Sequence, residues 1–144
     1  MFTKYFAADA RHFLAYDGDT LMSHAVVTTR GVQPEGLPIL RTAFVDAVST
    51  LPSRQNQGYG SMTMRRLAES IGDYEIGCLQ TDRTSFYAQL GWQEWRGPLA
   101  GRSDRGLIPT PNQRGVMVLQ LPITPPFHLD AALSIERQPE RIWE

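Results

Sequence analysis

Gln55-Asn56-Gln57-Gly58-Tyr59-Gly60 stands between a run that reads as a strand, Thr42 to Ser49, and one that reads as a helix, Ser61 to Ile71. Strand, glycine turn and helix together make an anion cradle. Glycine reaches backbone conformations that other residues avoid and lets a ligand come close. The first amides of the helix have no internal partner and sit at the positive end of its dipole. A phosphate satisfies both conditions, so the segment predicts a protein that holds a phosphorylated cofactor.

The flanking sequence reads as alternating elements. Phe13 to Tyr16, a turn at Asp17-Gly18-Asp19, and Leu21 to Arg30 form a β-hairpin pattern. Ahead of it, Phe2 to Phe13 has irregular apolar spacing compatible with a short helix, and after it Gly31 to Pro38 reads as a polar loop. Leu40 to Ser49 is the third strand. Met64, Leu67, Ala68 and Ile71 fall at i, i+3, i+4 and i+7, one face of an amphipathic helix, with Gly72 as its stop. Tyr74 to Gln80 is a strand, and Ser85 to Leu90 is a short helix capped by Gly91. Trp92 to Arg96 and Val116 to Leu121 are the last strands, with Gly97 to Gly115 as a long loop between them and Pro122 to Glu144 as a proline-rich tail. The pattern predicts a single α/β domain over residues 1–144, a mixed, mostly antiparallel sheet with helices packed on it.

Composition narrows the function classes. The chain has 144 residues, 42% of them hydrophobic, and a formal net charge of −1. That balance gives no broad attraction to nucleic acid or a membrane surface. No apolar run approaches membrane-spanning length, and the N-terminus lacks a signal-peptide pattern, which makes the cytoplasm the expected location. The single cysteine, Cys78, lies in the apolar run Ile76 to Leu79 and reads as a buried, inert thiol. His12, His24 and His128 show no metal-ligand spacing, so no metal is expected.

Two familiar phosphate loops fail against the glycine turn. No lysine follows Gly60 as a Walker loop requires, and Thr63 stands where a dinucleotide fingerprint has its third glycine. A third pattern fits. Gln55, Gly58 and Gly60 match the Gln/Arg-x-x-Gly-x-Gly/Ala acyl-CoA motif, and Tyr87-Ala88-Gln89-Leu90-Gly91-Trp92 matches a second element, Tyr-x-x-x-Gly-Phe, with Trp for Phe. With these motifs in this order the chain resembles the GCN5-related N-acetyltransferases. Phe44-Val45-Asp46-Ala47-Val48, Thr110-Pro111, Leu121-Pro122-Ile123 and the Ile-Trp near the C-terminus resemble the aminoglycoside 2′-N-acetyltransferases within that superfamily.

The resemblance implies an acetyl-CoA-dependent transfer of an acetyl group to a primary amine, an aminoglycoside amine among the candidates. It places the pyrophosphate on the backbone of Gln55, Asn56, Gln57, Gly58, Tyr59 and Gly60, with the Ser61 hydroxyl added. It places the pantetheine arm along Val48 and Thr50, with the Val48 amide on the thioester carbonyl. Tyr87 becomes the acid for the leaving thiolate; the alternative is a core tyrosine. Asp46, a carboxylate inside an apolar strand, is expected to share a face with Phe44 and Val48 and to bind or deprotonate the amine. Its alternative is a salt bridge to an arginine such as Arg41. Ala47, Trp143 and Glu144 complete the expected acceptor wall, with a frayed tail as the alternative for the last two.

Two departures from the pattern bear on the acceptor. Little sequence precedes the hairpin, which points to an acceptor wall supplied by a second copy of the chain, a homodimer, or to an acyl-CoA-binding protein without turnover. After Thr110-Pro111 the subgroup's acidic cluster is replaced by Asn112, Gln113 and Arg114, which opens the acceptor to peptides and other small amines.

Overall fold

Val, Phe, Thr and Ile crowd the segments that become strands, because branched and aromatic side chains suit a pleated, half-buried surface. The computed structural model describes residues 10–50, 58–138 and 141–143. Within them run β1 (Arg11–Asp17), β2 (Thr20–Pro34), β3 (Leu40–Thr50), α1 (Tyr59–Ser70), β4 (Ile76–Gln80), α2 (Thr84–Ala88), β5 (Gln93–Glu94), β6 (Leu99–Ser103), β7 (Gly106–Pro109), β8 (Val116–Gln120) and β9 (Leu133–Glu136).

The strands form one sheet in the order β5-β8-β4-β3-β2-β9-β6-β7, with β1 also paired to β2. The pairings are antiparallel except β3 with β4 and β6 with β9. The predicted mixed, mostly antiparallel sheet with flanking helices is what the chain forms. The β1–β2 turn sits at Gly18-Asp19, where Gly18 has φ 60°, a left-handed value that glycine takes without strain.

Four expectations change. β2 runs on through Gly31–Pro34, because Val32 to Pro34 find a partner in β9. The stretch read as a loop over 97–115 contains the β6–β7 hairpin, and the proline-rich tail contains β9. Arg11 to Phe13, inside the candidate N-terminal helix, belong to β1. One edge of β2 is thus shared. β1 covers Thr20 to Val27, β9 covers Val32 to Pro34, and Thr28 to Gly31 lie between them.

The sheet buries both faces. On one, α1 lays Met64 and Leu67 against Ala25, Val27, Ala43 and Val45, with Tyr87 and Trp92 closing the end. On the other, Phe44, Cys78, Val118, Ile135 and Trp143 pack together. Gly77 is glycine because Trp92 lies across it; a β-carbon there would be 3.2 Å from the indole ring and from Leu119.

Candidate functional site

The parallel pairing of β3 with β4 ends at Val45 and Leu79. Beyond that point β3 stays with β2 as far as Thr50, and β4 stays with β8 through Gln80. The two strands therefore part company, and a cleft of about 750 Å³ opens between their ends. Val45, Asp46, Val48, Ser49 and Thr50 line it from β3, Leu79 to Arg83 from β4 and the turn after it, and Phe86 and Tyr87 from α2.

A bulge marks the parting. Val26 pairs with Ala47 and Val27 with Val45, so Asp46 is the extra residue of β3. One inserted residue reverses the alternation of faces beyond it. Phe44 packs in the Trp143 cluster, whereas Val48 packs on the α1 side. The expectation that Phe44, Asp46 and Val48 share a face is overturned for this reason.

The helix end of the cleft is a donor site. α1 begins after Gly58, which has φ 86°, and no side chain caps it. The first intrahelical bond is donated by the Met62 amide to the Gly58 carbonyl, at 2.9 Å. The amides of Tyr59, Gly60 and Ser61 precede it, and the first turn carries no acidic residue. Gly58, Gly60 and Ser61 line the cleft. A β-carbon on Gly60 would lie 3.3 Å from Thr50 Oγ1, so the absence of a side chain keeps the helix close to β3. Tyr59 is half-buried on the helix outside the lining, and its carbonyl accepts the Thr63 hydroxyl. Gln55, Asn56 and Gln57 fall outside the described residues. So does Glu144.

Tyr87 closes the other side. It is 7% exposed, with Phe86 edge-on at 4.9 Å and Trp92 at 6.4 Å between ring centres. Burial pushes its phenol above the ordinary tyrosine value, partly offset by the Arg83 guanidinium. It stays protonated through the neutral range, as a proton donor must.

Asp46 departs from its expected setting. Its side chain is 1% exposed and its carboxylate is gripped by Arg141, with Nη1 donating at 2.7 Å and Nη2 at 3.2 Å. The Thr28 hydroxyl donates to it at 3.3 Å. The ion pair weighed for this residue exists, with Arg141 in place of Arg41, which pairs instead with Asp73. The cleft meets the main chain of Asp46, so an acceptor amine reaches the carboxylate only if that pair opens.

Trp143 is also corrected. It is fully buried, and its indole Nε1 donates to Thr110 Oγ1 at 3.2 Å. It offers no aromatic face to an acceptor, because the apolar cluster under the sheet has absorbed it. Ala47 pairs with Val26 in the strand, and its side chain falls outside what the structure describes. The histidines are not all far apart. The hairpin stacks His12 on His24, with Nδ1 and Nε2 2.9 Å apart, and burial lowers the His24 pKa, helped by the charge of His12. Among the described residues no group of three or more His, Cys, Asp or Glu side chains is placed to hold a metal. Cys78 is buried, its thiol pushed up to about 12 by desolvation, as an inert core thiol should be.

Sequence reasoning missed Gln80, Thr81, Asp82, Arg83 and Phe86. The signal was available: they follow the C-terminal end of β4, and in a parallel pair that end lies beside the C-terminal end of β3, where Val48 and Thr50 were placed.

Residues 2–95 match the family model of the acetyltransferase (GNAT) domain. The chain belongs to the GNAT acetyltransferase family. Among solved structures it is similar to a GCN5-related N-acetyltransferase from Kribbella flavida, with 24% identity and a TM-score of 0.52, over 56% of this chain and 21% of that one. It is similar to Eis1 from Mycobacterium abscessus, with 18% identity and a TM-score of 0.57, over 62% and 24%. It is also similar to Naa20 of Chaetomium thermophilum, solved with a bisubstrate analogue, with 16% identity and a TM-score of 0.50, over 76% and 65%. The chain thus spans about a fifth to a quarter of the length of the first two. No described helix of this GNAT domain is long and apolar enough to cross a membrane.

Proposed function

We propose that the chain is an N-acetyltransferase domain that takes its acetyl group from acetyl-CoA and passes it to a primary amine. The observation that carries this reading is the uncapped start of α1 beside the parted ends of β3 and β4. The cradle suits coenzyme A: a pyrophosphate takes the amides of Gly58 to Ser61, and a side chain on Gly60 would fill the space it needs. Past Val45, β3 has lost its β4 partner, so backbone groups turned to that side are open to the amides of a pantetheine arm. Val48 and Thr50 lie on that stretch.

When bound, acetyl-CoA supplies an acetyl group on a thioester. Transfer would join the acetyl carbon to the neutral amine as the C–S bond breaks, and the proton shed by the nitrogen would pass to solvent. Backbone N–H groups of β3, that of Val48 among them, stabilise charge on the carbonyl oxygen. Tyr87 would give its phenolic proton to the departing thiolate and recover one from solvent. Arg83, at the mouth of the cleft, adds a cation for the phosphates.

The test is calorimetric titration of acetyl-CoA into the wild type and a Gly58→Glu variant. Micromolar wild-type binding lost in the variant supports the reading, and an absence of wild-type binding rejects it. A second reading, acyl-CoA binding without turnover, is favoured by the Asp46–Arg141 pair, which occupies the carboxylate of a cleft-lining residue. Product formation across a panel of peptides, aminoglycosides and other small amines separates the two. A second copy that completes the acceptor wall would add to β1, whose outer edge carries no strand among the described residues.

A further inference from the structure

Asp46 sits in a charged layer beneath the sheet. Arg30 donates from Nε to Glu136 at 2.6 Å and lies over the Phe44 ring at 4.9 Å. Glu136 also accepts the Gly31 amide at 2.6 Å. Arg102 reaches the Gly31 carbonyl and the Ser134 hydroxyl. Arg141 grips Asp46 and gives its Nε hydrogen to Gln138 Oε1 at 2.6 Å. Among the described residues, three guanidiniums therefore face two carboxylates.

The exposure is as unequal as the charge. In the Asp46–Arg141 pair the carboxylate is 1% exposed and the guanidinium side chain 21%. Of this pair, the guanidinium is the partner more open to solvent. Three of the five N–H donors of Arg141 are used by Asp46 and Gln138, and the remainder can hold a second carboxylate in the fork geometry that guanidinium favours. A polycation would meet a like charge at Arg141.

We propose that Arg141 determines acceptor specificity, selecting a primary amine that also carries a carboxylate over a polycationic amine. This rests on the acetyltransferase reading and deepens it. Asp46, which lines the cleft, is locked by Arg141, so that acid no longer recruits cations and the more exposed half of the pair recruits anions.

The test compares acetylation of three acceptors of one size class: an amine bearing a carboxylate, a neutral monoamine and a polyamine. Wild type is expected to show at least a tenfold higher kcat/KM for the carboxylate amine than for the polyamine, falling as salt rises. Arg141→Gln should erase or reverse that order. Removing one partner leaves a buried carboxylate uncompensated and can unfold the chain. The paired change Asp46→Asn with Arg141→Gln avoids this and should flatten the preference while acetyl-CoA affinity, read by calorimetry, stays within twofold. A polyamine preference in wild type, or an order that the paired change leaves intact, overturns the proposal while the acetyltransferase reading stands. Failure of acetyl-CoA to bind overturns both.

Discussion

Around Tyr87 two rings and the end of a sheet decide what a phenol can do. Burial raises its pKa, so its proton is held until pH exceeds the ordinary tyrosine value of about 10. A donor of this kind gives a rate that is flat through neutrality and falls only on the alkaline side. We expect Tyr87→Phe to lower kcat by roughly 10²-fold with little change in KM, and to remove the alkaline limb of the pH–rate profile. Stability follows the same sign. The folded pKa lies above the unfolded one, so the contribution is complete below the unfolded value and is lost as pH rises through the folded value. Cys78 makes the complementary point. With its thiol at about 12 it should resist a thiol reagent at pH 8 in the native protein and react only with unfolding, which a colorimetric thiol count in and out of denaturant would check.

Among the elements, what could be read in the chain depended on local signals. The Gly58–Gly60 turn, the apolar face of α1 and the β1–β2 turn are written in adjacent residues. Asp46 was visible as an anomaly, a carboxylate in an apolar strand. Its role was not, because the bulge that reorients it exists only in the register of β3 against β2. Its partner Arg141 is 95 residues away and arrives with the C-terminal segment. The β6–β7 hairpin was hidden by the composition around it: Gly97, Pro98, Gly101 and Pro109 signal breaks, yet its strands are held by long-range pairing with β9. Gly97 is itself a packing requirement, since a β-carbon there would meet the Ala131 carbonyl oxygen at 1.9 Å. Trp143 was read as part of an acceptor wall, with a frayed tail as the alternative, and burial in a core assembled from distant strands overrode both. We expect Trp143→Ala to cost about 3–5 kcal/mol of stability in urea unfolding. A loss within experimental error would mean that the C-terminal segment is not integral to the core.

Over the whole molecule, the family match and the physical domain have different limits. The match ends at residue 95. Yet β4 is completed by β8, and β2 by β9, both of which lie beyond it. A chain stopped after residue 132 would lack β9, the Arg30–Glu136 pair, the Arg141 grip on Asp46 and the Trp143 anchor. It would leave Arg30, whose side chain is fully buried, without its counter-charge. We expect that truncation to abolish cooperative thermal unfolding, measured by circular dichroism, and not merely to lower the midpoint.

The shared edge of β2 also sets a timetable for synthesis. Val32 leaves the ribosome about a hundred residues before Ile135, its strand partner, which at ~5–20 residues per second is a wait of roughly 5–20 s. During that interval β1 can zip against the first half of β2, but the second half presents bare amides and carbonyls beside buried-type side chains. Proteolysis of stalled nascent chains of increasing length should find this stretch cleavable until β9 has cleared the exit tunnel, and protected abruptly afterwards. The newborn chain therefore depends on being shielded at one short stretch of strand until β9 has been made.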